Sequence, residues 1–133
     1  MRVLALDYGS ARCGCALSDP TGTIVTPIEP LAKPAGRRGL AAIAQLVSER
    51  RVERVIVGLP LSLRGADTDQ TRETREFAAT LARRLGSKVP VELHDERFTT
   101  RIAATMGHAR SSEHSRAAAI LLEGWLARSE IGP

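Results

Sequence analysis

Two carboxylates stand where apolar runs of the chain end. Asp7 follows the run "RVLAL" at residues 2–6, and Glu96 ends the run "VPVELHDE" at residues 89–96. In open α/β sheets, sites gather at the ends of strands. Paired carboxylates there suit Mg²⁺, whose coordination is completed by water and substrate phosphates. Two such ions about 4 Å apart can stabilise both oxygens of a phosphodiester displacement. The pair therefore predicts phosphodiester chemistry, although strand ends are also polar simply because they reach solvent.

A histidine stands at the start of the last apolar stripe. The stretch "SSEHSRAAAILLEGWL" at residues 111–126 has helical periodicity. Its predicted inner face consists of His114, Ala117, Ala118, Leu121, Leu122 and Trp125. The spacing thus predicts that the imidazole points the same way as the core. Such a histidine is either a half-buried residue held by a hydrogen bond or a ligand.

A polar loop follows the apolar run at residues 54–60. The stretch "VGLPLSLRGADTDQT" carries Ser62, Arg64 and Gly65. Arg64 and free backbone amides could contact a phosphate backbone there. The same composition is also typical of a solvated connection, and spacing alone does not separate the two interpretations.

Composition restricts the class of protein. The chain has 133 residues, 43% hydrophobic and 26% charged, with a formal net charge of +4, which is typical of a globular domain with a mild preference for polyanions. Only four residues are aromatic, which argues against stacking single-stranded bases on a row of rings. No leader or membrane span is expected, so we predict a cytoplasmic protein. Cys13 and Cys15 are expected to be small buried residues rather than a metal pair.

The elements that must position these residues follow from periodicity and turn signals. Three short strands separated by glycine turns predict an antiparallel meander, and the later strands alternate with helices. We therefore expect a single α/β domain over residues 1–133, a mixed five-stranded sheet in the order β-β-β-α-β-α-β-α-α, with helices on both faces. The predicted strands are 2–6, 13–18, 23–31, 54–60 and 89–96, and the predicted helices are 39–51, 68–85, 100–106 and 111–126.

Four stretches together resemble the YqgF/RuvX family. "LALDYGSARCGCALSD", "VIVGLPLSLRGADTDQT", "DERFTT" and "RAAAILLEGWL" occur in that family's order and approximate spacing, from residue 2 to about residue 127. The family comprises RNase H-fold proteins described as pre-16S rRNA nucleases or Holliday junction resolvase homologues. The resemblance implies an RNase H-like sheet and a bacterial cytoplasmic protein of ribosome biogenesis. It also implies metal-dependent hydrolysis of nucleic-acid phosphodiester bonds.

The resemblance also assigns residues. It implies one or two Mg²⁺ or Mn²⁺ ions, with Asp7 as the first catalytic metal ligand and Glu96 as the second. Further residues would flank the substrate or support the acidic strand end. These expected substrate-binding residues are Ser62, Arg64, Arg97 and Thr99, with Thr100 beside them.

The chain departs from the family pattern at the last helix. The family has an aspartate in the first turn, and a match on "RAAAILLEGWL" puts His114 at that position. The resemblance therefore makes His114 the third catalytic and metal ligand. The preceding connection is short for the family, and a slip of one residue would bring Glu113 there instead, about 100° round the helix. Imidazole suits Mn²⁺, Co²⁺ or Zn²⁺ better than Mg²⁺, so weaker Mg²⁺ binding is expected.

Three functions compete at this point. The first is a metal-dependent nuclease acting on structured RNA such as pre-rRNA, or on branched DNA as a Holliday junction resolvase. The second is a nucleic-acid-binding protein that has lost catalysis because His114 replaces a carboxylate. The third, an actin-like phosphotransferase, needs two such domains, and this length supplies one. We expect no membrane partner, and either a monomer or a homodimer, since cutting two strands of a junction needs a symmetric dimer.

Overall fold

A five-stranded mixed sheet organises the molecule in the computed structural model, which describes residues 1–98 and 113–131. The strand order is β3-β2-β1-β4-β5. Three helices and a short 3₁₀ turn, Glu96–Phe98, complete the described elements. The strands are β1 Val3–Asp7, β2 Arg12–Ser18, β3 Val25–Ala32, β4 Arg54–Leu59 and β5 Val91–Asp95; the helices are α1 Arg37–Glu49, α2 Asp69–Leu85 and α3 Glu113–Ile131. The predicted helix at residues 100–106 lies outside the described residues.

The sheet has an antiparallel half and a parallel half. Strand β2 pairs antiparallel with both β1 and β3, as the predicted meander requires, while β4 pairs parallel with β1 and β5. Pro27 and Pro30 lie on β3, the edge strand, because proline lacks the amide hydrogen that a central strand needs. The parallel half brings the carboxyl ends of β1, β4 and β5 to one end of the sheet.

Helices cover both faces of the sheet, which confirms the expected architecture. Leu4 and Leu6 face α1 and α2, and Val3 and Ala5 face α3, because successive strand residues point to opposite faces. Each of these four side chains is fully buried. No helix of the described part is long and apolar enough to cross a bilayer.

Local sequence signals set the ends of α2. The Thr68 hydroxyl accepts the amide hydrogen of Thr71, whose side chain in turn accepts the Thr68 amide. This reciprocal arrangement satisfies two amides that the first turn leaves free. Gly86 ends the helix at φ 78°, in the left-handed region that glycine enters without strain. The predicted helix over 68–85 therefore matches α2 closely.

Helix α1 ends two residues earlier than its sequence predicts. Arg51, which follows the helix, adopts φ 54°, and its amide bonds the Ser48 carbonyl. The next amide, of Val52, returns to the Val47 carbonyl at 2.9 Å. This pair of bonds is a Schellman motif, which satisfies the last carbonyls of a helix and stops it. Arg51 occupies the position where glycine is the usual residue.

The buried face of α3 differs from the predicted one. Ser115, Ala118, Ala119 and Leu122 are buried, whereas His114 and Ala117 are exposed. The predicted orientation of His114 toward the core was therefore wrong. The helix is rotated because the Ser115 hydroxyl donates to the Ile28 carbonyl and accepts the Cys15 amide.

Ser115 can reach the sheet because of two local features of β2. The pairing of β2 with β3 shifts register between Cys13 and Cys15, so that ladder groups there are open to another partner. Gly14 lies between them, and a Cβ at that position would stand only 1.9 Å from the His114 carbonyl oxygen. The backbone of α3 therefore touches the sheet where a side chain would keep it away.

Candidate active site

Asp7 lies at the end of β1, on the face that α3 covers. It pairs with Gly14 on β2, and it shares its face with Val3 and Ala5. Its side chain lines an open groove of about 310 Å³, together with Glu96 and three residues of α3, Ala117, Ile120 and Leu121. The first predicted catalytic carboxylate thus faces a cavity rather than bulk solvent.

Glu96 reaches the same groove from a turn rather than from a strand. Strand β5 ends at Asp95, and Glu96 opens the 3₁₀ turn, so the prediction that Glu96 closes the strand was wrong by one residue. The turn directs Glu96 over Gly58 of β4, where a Cβ would stand 2.5 Å from Oε1. Any side chain at position 58 would displace the carboxylate.

Gly58 is a functional position that the sequence reasoning missed. It interrupts the run of large apolar residues "VIVGL" at residues 55–59 of β4, and it is buried. A glycine inside a strand often marks a place where another group approaches closely. That signal was present in the sequence, but the group that approaches became identifiable only from the position of Glu96.

The two carboxyl groups are hydrogen-bonded to each other. Burial raises the pKa of Asp7, partly offset by its hydrogen bond to Glu96 and by the charge of His114. Burial, with the adjacent Asp7 carboxyl, raises the pKa of Glu96 to about 7. Two carboxyls so close together cannot easily both ionise, so one proton is retained between them near neutral pH.

The chemistry of this pair is compatible with a divalent cation. Mg²⁺ and Mn²⁺ prefer carboxylate oxygens, and either cation would neutralise both groups at once. The space over Gly58 leaves Glu96 Oε1 free of any side chain from β4. Within residues 1–98 and 113–131, no three histidine, cysteine, aspartate or glutamate side chains come together closely enough to hold a metal ion. The described site therefore offers two carboxylates and an open side.

His114 lies at the edge of this site. Its side chain is exposed, yet its charge is close enough to lower the pKa of Asp7. The carbonyl of the same residue contacts Gly14, which fixes the first turn of α3 next to the end of β1. The structure thus brings His114 near Asp7 without grouping it with both carboxylates.

The loop between β4 and α2 folds on itself. Ser62 Oγ accepts the Ala66 amide at 3.0 Å, and the Ser62 carbonyl accepts the Gly65 amide at 2.8 Å. The predicted substrate residue Ser62 therefore uses its hydroxyl oxygen to hold the loop. Arg64 is exposed at the loop's tip, next to Leu63, which is 95% exposed.

Arg97 connects this loop to the acidic strand end. Its Nη2 donates to Asp95 Oδ2 at 2.6 Å, its Nε bonds both carboxylate oxygens, and Nη1 lies 3.5 Å from the Leu63 carbonyl. The Arg97 guanidinium holds the pKa of Asp95 below its usual range. Asp95 thus orients Arg97, whereas the side chain of Glu96 lines the groove. Thr99 and Thr100 lie outside the described residues.

The cysteines of β2 form no part of the site. Cys13 and Cys15 are free thiols with no exposed surface, which confirms their interpretation as small buried residues. Their contact with each other, together with burial, raises the pKa of the Cys13 thiol. Neither thiol is available as a nucleophile or as a ligand beside Asp7.

Solved structures of junction resolvases share this fold. Thermus thermophilus RuvC in complex with a Holliday junction substrate superposes with a TM-score of 0.71 at 16% identity, covering 99% of this chain and 96% of that one. The fowlpox virus resolvase with its Holliday junction DNA gives a TM-score of 0.53 at 10% identity over 98% and 97%. The sheet with helices on both faces is thus the RNase H-like fold.

The sequence places the chain in one family of that fold class. The model of the RuvX family, described as Holliday junction resolvase, matches residues 1–128, and the chain belongs to that family. A protein from Thermobifida fusca named "Putative pre-16S rRNA nuclease" is 44% identical, over 90% of this chain and 82% of its own length. A protein of the same name from Maridesulfovibrio salexigens is 35% identical over 97% and 100%.

Proposed function

We propose that the chain is a metal-dependent nuclease that hydrolyses phosphodiester bonds in the 5′ region of pre-16S rRNA. The pair of Asp7 and Glu96 in the groove beside α3 carries the proposal, because two half-buried carboxyls in contact, both with raised pKa values, are typical of a functional site. Membership of the RuvX family and the names of the relatives support the same activity. The cytoplasm is the compartment where this activity would be needed.

Each residue has a defined part in this reaction. Asp7 and Glu96 would hold one or two Mg²⁺ or Mn²⁺ ions, and His114, which lies near Asp7 at the edge of the site, would be the third ligand. The bound cation would activate a water molecule and stabilise the charge on the leaving oxygen. Arg64, exposed at the loop's tip, contacts a phosphate of the substrate. Arg97 contacts the substrate from the neighbouring strand end, held in place by Asp95.

A cleavage assay tests the proposal. Structured pre-rRNA fragments and four-way DNA junctions are incubated with Mg²⁺ or Mn²⁺ and the wild type or Asp7→Asn. Loss of a catalytic ligand should reduce the rate by about 100-fold or more, as removal of a single electrostatic stabiliser does. Asp69→Asn, the same chemical change at an exposed residue of α2, serves as the control. Cleavage by Asp7→Asn at the wild-type rate would overturn the assignment.

The same assay separates two alternatives. Cleavage of the DNA junction but not of RNA would indicate a Holliday junction resolvase, the description that the family model carries. Binding without cleavage of any substrate would indicate a nucleic-acid-binding protein with an impaired site, which the exposed His114 in place of a carboxylate favours. Sedimentation of the chain with and without a junction distinguishes the monomer from the homodimer that symmetric cleavage requires.

A further inference from the structure

A second groove lies at the end of the sheet opposite the carboxylates. It has a volume of about 430 Å³ and runs between the chain segments that leave α1 and α2. Backbone bonds from Glu53 to Arg2 and from Val55 to Pro90 place these segments at the amino ends of the strands. The groove's apolar floor includes Val47 and Val52, and its polar lining is Ser48, Arg51, Arg84 and Lys88.

The three cations of this groove have no acidic partner among residues 1–98 and 113–131. Within the described part of the chain, the side chains of Arg51, Arg84 and Lys88 make no hydrogen bond or ion pair, and no acidic residue lines the groove. The two nearest acids in sequence are already engaged. Glu49 accepts the Gln45 amide, and Glu53 accepts the Arg2 amide. Three positive charges therefore line the same groove without an ion pair to any described residue.

Arg51 occupies its position against a backbone preference. It adopts φ 54° in the Schellman motif after α1, where glycine fits without strain. Arg51 thereby contributes a guanidinium group to the groove, whereas a glycine at this position would contribute no charge. A cation interacts favourably with the carbonyl end of a helix, and this explains Arg84, which lies in the last turn of α2. It does not account for Lys88, which lies three residues beyond the end of α2.

We propose that this groove binds phosphate groups of a nucleic-acid backbone, as a contact separate from the cleavage site. Guanidinium groups bind phosphate oxygens in pairs, and the lysine ammonium adds a point charge. The Ser48 hydroxyl supplies a further donor at the same groove. The proposal rests on the proposed nuclease function only for the identity of the polyanion.

The position of the groove determines which part of a substrate it meets. Strand β4 has six residues, which at about 3.3 Å each separate the two ends of the sheet by about 20 Å. The groove lies with α1 and α2, whereas Asp7 faces α3, so the two sites also occupy opposite faces. One short straight duplex cannot contact both. The groove therefore holds a second arm of a folded or branched substrate while another arm is cut.

Binding measured in EDTA tests this proposal independently of cleavage. Fluorescence anisotropy is recorded for a four-way DNA junction with 12-base-pair arms and for a single 12-base-pair duplex, from 50 to 200 mM salt. Arg84→Gln is compared with Arg83→Gln, its exposed neighbour on α2, which bonds Thr80 and does not line the groove. Each lost phosphate contact should reduce the slope of log affinity against log salt by about 0.9. We expect that reduction for Arg84→Gln and none for Arg83→Gln.

A triple variant gives the larger effect and a control for folding. Arg51→Gly, Arg84→Gln and Lys88→Gln together should weaken junction binding by at least about tenfold at 150 mM salt, with a slope lower by about 2 to 3. Its preference for the junction over the duplex should disappear, while kcat in Mn²⁺ stays at the wild-type value and KM rises. Arg51→Gly alone should raise the melting temperature, because glycine relieves the backbone strain. A melting temperature of the triple variant at or above that of the wild type excludes unfolding as the cause of its weaker binding.

Each contrary result has one meaning. Equal salt slopes for Arg84→Gln and Arg83→Gln, or wild-type junction affinity of the triple variant, overturn the groove proposal and leave the nuclease intact. Undiminished cleavage by Asp7→Asn overturns the nuclease assignment and leaves the groove standing if the slopes differ as expected. Failure of the wild type to bind either DNA probe overturns the groove proposal, while the cleavage assay on structured RNA still decides the nuclease assignment.

Discussion

The chemistry of the site depends on a proton that Asp7 and Glu96 hold between them. Their contact and their burial beside α3 keep the pair partly uncharged near neutral pH. A cation bound to both carboxylates would have to displace that proton, so the affinity for a metal should rise as the pH passes the Glu96 pKa. Sequence alone places both acids near strand ends. It does not show that Glu96 belongs to a turn and rests on Gly58, because that arrangement depends on where two distant strands meet.

Glu96 should make the metal-free protein less stable as pH rises. Its pKa is raised from 4.5 to about 7, so the folded state favours the protonated form. The stability that this preference contributes is complete below pH 4.5 and is lost as pH increases through about 7. We expect the melting temperature in EDTA to fall between pH 5 and 8 for the wild type, and to fall less for Glu96→Gln. Glu29→Gln, an exposed change on β3, should follow the wild type. If the melting temperatures of all three proteins changed with pH in parallel, the raised pKa of Glu96 would not contribute to stability.

His114 should set the metal preference of the enzyme. An imidazole near Asp7 favours Mn²⁺ over Mg²⁺, since Mg²⁺ prefers oxygen ligands. His114→Ala should therefore lower the ratio of Mn²⁺ to Mg²⁺ activity, and His114→Asp should raise the rate with Mg²⁺. Initial cleavage rates in each metal measure the ratio. A wild type that is equally active in both metals and unchanged by His114→Ala would show that the residue is not a ligand.

At the scale of the elements, the contact between α3 and β2 determines whether the groove with Asp7 and Glu96 is formed. Ser115 bonds both β2 and β3, and Gly14 lets the helix backbone touch the sheet. The strands, α2 and the burial of Leu121 and Leu122 could be predicted because periodicity and capping residues are local signals. The rotation of α3 could not, because it follows from a hydroxyl reaching an irregular place between two strands. An apolar stripe rich in alanine does not specify that contact.

Gly14→Ala should separate α3 from the sheet. The added Cβ would stand 1.9 Å from the His114 carbonyl oxygen, so the helix must move. We expect a loss of unfolding free energy of about 1–3 kcal/mol or more, and cleavage reduced more than tenfold, since α3 borders the groove. Gly36→Ala, whose Cβ meets its nearest atom at 3.3 Å, is the matched control. Denaturation by urea and the cleavage rate measure the two effects. Wild-type stability of Gly14→Ala would refute the close contact.

At the scale of the whole molecule, the sheet separates two cores of unequal size. The larger core lies under α1 and α2, and the smaller lies under α3, where Leu122 is fully buried and Trp125 packs against it. Trp125 is the only tryptophan of the chain, and its indole donates to Glu92 on β5 at 3.1 Å. Its fluorescence therefore reports on the docking of α3. Composition and strand periodicity are sufficient to predict the two-sided sheet, whereas the assignment of the cation groove needs the folded backbone.

Leu122→Ala should destabilise the molecule as a unit. Truncation of a fully buried leucine leaves a cavity and costs about 2–5 kcal/mol. Trp125 fluorescence and far-ultraviolet circular dichroism should still report one coincident urea transition, shifted to lower concentration. Ala117→Ser, on the exposed flank of α3, should leave the midpoint unchanged. If fluorescence changes first, α3 leaves the sheet separately and the two cores are not one cooperative unit.

The prolines of β3 restrict how two copies of this chain can meet. Pro27 and Pro30 interrupt the row of amide donors along that edge, so a further strand finds no continuous ladder there. The two prolines therefore disfavour a continuous sheet formed through β3 of two copies. A pair that served a branched substrate would have to meet through side chains of helices and loops or at another edge. The spacing of the two grooves in such a pair would then be set by side-chain packing and not by a shared strand ladder.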